Sequence, residues 1–222
     1  MNHKNKLFIF NEELKSKSIK SFTRTKYCRF KASDRLKFYS TISNWVFTLI
    51  SLLLIIASLL DVYNIFEKSS FFNFYQTSLA ITILVFFQVI ANSSYELKSL
   101  RFHQCAIEIS KILQKLEHIS VVDKADEFDE SSKDKIKQIL NEYSSILKRY
   151  ENHETIDFLE YKKFTMEEKN KKEESTDKSM FFLEISIFFR KYIIGLFPQF
   201  ILTVVALIGF IYSFSSFIVI CK

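Results

Sequence analysis

Glycine and proline are almost missing from this chain, two and one in 222 residues. A phosphate-cradling loop needs several glycines close together, and Gly195 and Gly209 both fall in the last apolar stretch, so no such loop exists. So few helix breakers favour long helices and leave little material for catalytic loops. The three cysteines, Cys28, Cys105 and Cys221, have no CxxC spacing and lie in separate regions, against a disulfide framework or a zinc cluster. The histidines, His3, His103, His118 and His153, are equally scattered. His103 and Cys105 are two residues apart and point about 200° from each other on a helix, so one ion does not readily take both. No cysteine has a base at a readable spacing, and the acidic residues are mixed with lysines as on a solvated face. No enzyme is expected, and no catalytic residue, cofactor or metal ligand.

Charge is absent where apolar residues gather. Residues 42–60 (ISNWVFTLISLLLIIASLL), 69–95 and 192–221 contain no Asp, Glu, Lys or Arg. Roughly 20 apolar residues cross a bilayer as a helix. An unpaired strand in lipid would orphan its amides, and the alternation required by a membrane barrel is missing. The expected fold is therefore an all-α membrane protein: an N-terminal transmembrane hairpin, a long cytoplasmic helical region and a third, C-terminal transmembrane helix. The expected organisation is a basic amphipathic helix over 1–40, the hairpin over 41–95, helices with a charged linker over 96–178, and an interfacial segment plus last span over 179–222. Uncharged spans exclude the usual proton relay, voltage sensor or coupled-ion site, and no internal repeat supports an ion-driven transporter.

The charges that are present set the topology. Residues 1–41 hold eleven Lys or Arg against three acids, and Lys98, Arg101, Arg190 and Lys191 flank the later spans. Positive flanks stay inside, which places the N-terminus and the insert in the cytoplasm and the C-terminus outside, in a multi-pass protein of a cell membrane. No cleavable signal peptide is expected, because the apolar run 7–10 is too short.

Along the chain, residues 18–38 space Ile19, Phe22, Tyr27, Phe30 and Leu36 among cations, a basic amphipathic helix. It is either a surface helix held by anionic headgroups, at about 1 kcal/mol per cation, or a plain topology determinant leading straight into span one. No nucleic-acid platform accompanies it. In span one, Asn44, Thr48, Ser51 and Ser58 share about 80° of arc; in span two, Thr77, Gln88 and Tyr95 align within about 20°, with Asn92 roughly 40° to 60° away. Such stripes either join helices or line a water-filled path. Span two is expected to continue unbroken into 96–120, with Leu97, Leu100, Ile109, Ile112, Leu113, Leu116 and Ile119 as its apolar face. After an acidic linker, 123–130, a second amphipathic helix covers 133–150 through Ile136, Ile139, Leu140, Tyr143, Ile146, Leu147 and Tyr150. Residues 152–166 extend it or form a third helix, 167–178 read as a linker, and Pro198 marks the first turn of the last span or a kink in a longer one.

Three stretches resemble the bacterial SMODS and SLOG-associating two-transmembrane effector (SLATT) domains: YCRFKASDRL from Tyr27 to Leu36, ANSSYELKSLRFHQCA from Ala91 to Ala106, and YENHE from Tyr150 to Glu154 with Asp157. The resemblance implies an inner-membrane effector of anti-phage defence. Such an effector oligomerises into a pore or disrupts the membrane when a nucleotide-sensing, nucleotide-synthesising or reverse-transcriptase partner triggers it. The implied partners are lipid, further copies of the chain, and a separate cytoplasmic activator protein or nucleotide signal, with no direct nucleic acid. Asn44, Thr48, Ser51, Ser58, Thr77, Gln88 and Asn92 are then the candidate lining or helix-interface residues, and Tyr95, Arg101 and His103 the candidate coupling residues. The competing reading is a non-conducting membrane scaffold or sensor that recruits a cytoplasmic partner through its helices.

Overall fold

The computed structural model describes residues 3–63, 70–122, 130–173 and 178–220, and among them every element is helical. The order is α1 (His3–Val62), α2 (Ser70–Ser93), α3 (Tyr95–Val122), α4 (Glu130–Arg149), α5 (Thr155–Glu173), α6 (Lys178–Phe188), a π-helical turn (Phe189–Ile194) and α7 (Gly195–Ile220). Most of the expected hairpin turn (64–68), the acidic linker (123–129) and part of the later charge run (174–177) lie outside the described residues.

With neither glycine nor proline along its length, α1 runs unbroken from the basic segment through the first apolar run. The basic segment thus leads straight into span one, and its apolar face is covered by protein rather than by headgroups: Phe22, Cys28, Ala32 and Leu36 are buried. The rod expected to continue from span two is present as one long helical stretch over 73–118, with a break of a single residue. Ser94, with φ 51°, takes the left-handed conformation and separates α2 from α3, since a non-glycine residue in that region cannot propagate a right-handed helix. Of residues 152–166, those from Thr155 onward form a third helix, α5, which continues into the expected linker as far as Glu173.

Two compact units result. One comprises Met1–Arg35 with Leu97–Ile187, the other Leu36–Glu96 with Phe188–Lys222. In the first, which we call the charged unit, Phe22 of α1, Cys105, Ile109, Ile112, Leu113 and Leu116 of α3, and Ile136, Ile139 and Ile146 of α4 make one core. The whole expected stripe of α4 packs on it, Leu140, Tyr143, Leu147 and Tyr150 included. The stripe of α3 needs correcting at its start. Leu97 and Leu100 are exposed, because at 100° per residue Leu100 stands about 180° from Ile109; Phe102, Cys105 and Ala106 take the inner face instead.

In the second, apolar unit, Ile50 of α1, Leu79 of α2, and Leu202 and Ala206 of α7 are buried together, with Val46, Leu54, Tyr75, Ile83 and Phe86 against them. Both glycines of the chain serve close approaches here: a Cβ on Gly209 would strike the Tyr75 ring, and one on Gly195 the Tyr39 ring. Two helical stretches, Glu13–Val62 and Asn73–His118, are long and apolar enough to cross a membrane. Met180–Phe197 and Gln199–Gly209 make a third only if taken as one span, because they are bent by 54°. Pro198 stands at that bend, where it lacks a backbone donor, four residues past a π-helical turn that ends at Ile194. Pro198 is also the fourth residue of α7, so it lies in the first turn of that helix as well as at the bend.

Candidate functional site

Cations are drawn inside the charged unit. Lys15, Arg29 and Arg35 of α1 are buried, at relative exposures of 5%, 1% and 4%. Arg35 meets Asp157, itself buried, in a two-pronged ion pair: Nε donates to Oδ1 at 3.0 Å and Nη2 to Oδ2 at 3.1 Å. Glu154 adds a second carboxylate 3.2 Å from Arg35 Nη2. The same aspartate organises the start of α5, where its Oδ2 accepts the Glu154 backbone N–H at 2.9 Å, as a side chain three residues into a helix does for the capping residue. Burial raises the Asp157 pKa, against the lowering by Arg35.

Arg29 is the unusual member. Its Nη2 reaches Asn152 Oδ1 at only 3.4 Å, its guanidinium stands 5.3 Å from the Phe102 ring centroid, and Nε and Nη1 have no hydrogen-bond partner. His153 Nδ1 is likewise buried without a partner, and the His153 pKa is lowered by burial and by the Arg29 charge. Cys28 and Cys105 are free and fully buried, and burial pushes the Cys28 thiol up to about 11, away from the thiolate form. Ser33 and Ser99 tie α1 to α3, with Ser99 Oγ donating to the Ser33 carbonyl at 2.9 Å. Lys163 joins α5 to α6 through Glu184 at 2.8 Å.

The apolar unit is held by isolated polar contacts. Gln199 Nε2 donates to Ser43 Oγ at 3.1 Å in a fully enclosed setting, and Tyr75 Oη donates to the Ala206 carbonyl at 2.7 Å. Tyr39 Oη donates to the Lys191 carbonyl at 3.0 Å, taking up an acceptor of the π-helical turn.

Of the residues singled out from the sequence, Ser58 joins two helices: its Oγ accepts from Gln76 Nε2 at 2.6 Å. Thr48 and Thr77 fold their hydroxyls back onto the carbonyls four residues earlier, and Ser51 is half-buried. Asn44, Gln88 and Asn92 are exposed, and no hydrogen bond within the described residues satisfies their side-chain amides. Tyr95 packs edge-on to Tyr39 at 6.0 Å and His103 edge-on to Phe30 at 5.4 Å. Arg101 is exposed on α3, while Cys105, two positions beyond His103, is turned fully inward.

Sequence reasoning missed the Arg29, Arg35 and Asp157 cluster as a site, and missed Ser43 as the partner of Gln199. The signal was in the spacing: on α1, positions 15, 18, 22, 25, 29, 32 and 36 share one face, which makes Lys15 and Arg29 inward cations beside Phe22. Among the described residues no three of His, Cys, Asp or Glu converge as a metal site would require.

Against known families, residues 10–210, most of the chain, match the family described as SMODS and SLOG-associating 2TM effector domain family 5. No curated protein and no solved structure matches.

Proposed function

The chain belongs to family 5 of the SMODS and SLOG-associating 2TM effector domains, and on that premise we propose that it is an anti-phage membrane effector that conducts or disrupts the membrane as an oligomer. The observation that carries this reading is the set of unsatisfied amides on apolar helices. Gln88 stands exposed among Val85, Phe87 and Val89, themselves exposed, with Asn92 one turn further on and Asn44 exposed on α1. Asn44 and Asn92 lie within a turn of the span ends, but Gln88 is about two turns inside, and a lone amide facing hydrocarbon costs several kcal/mol, roughly 4–8 on a cyclohexane scale, so Gln88 calls for a partner helix from another copy or a water-filled path. Asn44, Thr48, Thr77, Gln88 and Asn92 supply that surface.

In this proposal the effector sits in the bacterial inner membrane with its N-terminus and charged unit in the cytoplasm, and the bent α6–α7 pair forms the third crossing. A separate cytoplasmic protein or a nucleotide signal acts on the charged unit, and Tyr95, Arg101 and His103 relay it. The chain performs no catalysis, and activation harms the infected cell. Induced expression with a potential-sensitive dye tests the reading: depolarisation is expected, and Gln88→Leu with Asn92→Leu should blunt it. A membrane potential that stays intact under every activating condition overturns it.

The scaffold reading has one observation in its favour. Leu97, Leu100 and Ile107 are exposed on α3 outside the apolar unit, and a partner helix would cover them. Liposomes carrying the purified protein separate the two, because a scaffold leaks nothing at any protein density.

A further inference from the structure

The charged unit contains a cavity of about 280 Å³ lined by Lys98, Arg101, Phe102, Gln104, Arg149, Tyr150 and Glu151. Three cations face one carboxylate there, and two aromatic rings form part of the wall. Behind the lining, Glu108 accepts from Arg149 Nη2 at 2.7 Å and from Tyr150 Oη at 2.8 Å, so one acid holds both a lining cation and a lining ring in place. That hydrogen bond also raises the Tyr150 pKa and keeps the phenol neutral. Lys98 and Arg101 have no ion-pair partner among the described residues.

Beside the same wall stands Arg29. It is 1% exposed, 5.3 Å from the centroid of the Phe102 ring, and two of its guanidinium nitrogens are unpartnered. A buried cation normally requires a neutralising partner, and a field from a poorly solvated charge reaches further than one from the surface. Around this cavity the cations therefore outnumber the carboxylates, with Lys98, Arg101, Arg149 and Arg29 against Glu151 and Glu108.

We propose that the cavity binds a phosphate-bearing ligand that also carries an aromatic ring, of mononucleotide size. Lys98, Arg101 and Arg149 hold the phosphate, Tyr150 takes the ring, and Gln104 offers an amide to its polar edge. Guanidinium groups suit phosphate by two parallel N–H donors, and a ring stacked on an aromatic side chain gains affinity whatever base it belongs to. The volume decides the size, since about 300 Å³ is the lower end of small-molecule sites. The inference builds on the proposed function by giving the nucleotide signal a place on the effector itself.

A phospholipid headgroup carries the same phosphate without the ring, and the experiment separates the two. Full-length protein in a phosphate-free detergent is titrated calorimetrically with AMP, adenosine and glycerol 3-phosphate. AMP is expected to bind saturably, with adenosine and glycerol 3-phosphate each weaker by tenfold or more. Lys98→Glu with Arg101→Glu should weaken AMP at least tenfold; Tyr150→Phe, which keeps the ring, should leave it within threefold. Absence of saturable AMP binding up to millimolar concentration, or binding unchanged in the charge-reversed protein, overturns the proposal. Glycerol 3-phosphate binding as tightly as AMP overturns it in favour of a headgroup site. The membrane reading is tested apart from this: a protein that leaks liposomes and ignores AMP refutes the cavity alone, and one that binds AMP and never leaks refutes the pore alone.

Discussion

The two units of this chain solve opposite solvation problems. In the charged unit, Phe22, Ile109, Ile112 and Leu116 are essentially inaccessible, and ion pairs such as Arg35 with Asp157 are buried beside them. In the apolar unit, Trp45, Phe74, Leu84 and Phe200 are each more than 60% exposed, and the helices meet through Gln199 to Ser43, Gln76 to Ser58 and Tyr75 to Ala206. Water drives the first arrangement by expelling apolar surface. Lipid cannot drive the second, because acyl chains are as apolar as leucine, and helix association there rests on close packing and hydrogen bonds. The same residue types therefore carry different energies in the two units.

The largest test of that contrast is Asp157→Ala. It removes the buried, two-pronged partner of Arg35 and leaves the exposed Glu154 carboxylate beside it, and removing one partner of a buried pair costs about 3–5 kcal/mol. Hydrogen exchange of full-length protein in micelles should show the amides of α5 opening several hundredfold more readily, while those of α2 and α7 keep their protection. Replacing both partners with apolar residues, Arg35→Met with Asp157→Leu, should restore most of the loss. Equal deprotection of α2 would show that the units do not open separately.

Next comes a matched pair of truncations. Leu116→Ala in the charged unit should cost about 2–5 kcal/mol, the sum of a transfer part and a cavity part. Leu202→Ala in the apolar unit should cost clearly less, since lipid can solvate a leucine and only the packing part remains. Equal losses would mean that the apolar unit is folded by water. Smaller again is Gln199→Leu. It removes the hydrogen bond to Ser43, worth about 0.6 and at most about 1.7 kcal/mol, but also removes a buried Oε1 that has no partner. Thermal midpoints in micelles should move little, and a loss above about 2 kcal/mol would show the contact to be stronger than membrane hydrogen bonds elsewhere.

The sequence made the helices legible because apolarity and charge are segregated in blocks. The span residues, the α4 stripe from Ile136 to Tyr150 and the inner face of α3 from Ile109 onward follow from period alone. Ser94 was illegible: no composition signal separates a serine that continues a helix from one at φ 51° that ends it. Leu97 and Leu100 misled because they are apolar but stand outside the 3.6-residue register of Ile109 and Leu116. Asp157 illustrates the limit at the candidate site. It stood among the residues carrying the family resemblance, but its partner Arg35 is 122 positions away, and only the fold brings them together.

The smallest expected effect is a slope with pH. His153 is half-buried next to Arg29, with Arg24 nearby and Asp157 acting in the opposite direction, and its folded pKa lies below the ordinary value of 6.5. A base with a depressed folded pKa binds fewer protons folded than unfolded, so stability is full above the unfolded pKa and declines as pH falls through about 6.5. Solvent reaching one side of the imidazole keeps the decline modest. Thermal midpoints of wild type and His153→Gln, measured from pH 7.5 to 5.5, isolate this contribution because Asp157 titrates in both proteins. The wild type should lose stability relative to the variant as pH falls, and parallel curves would mean that the charge of Arg29 does not reach the imidazole.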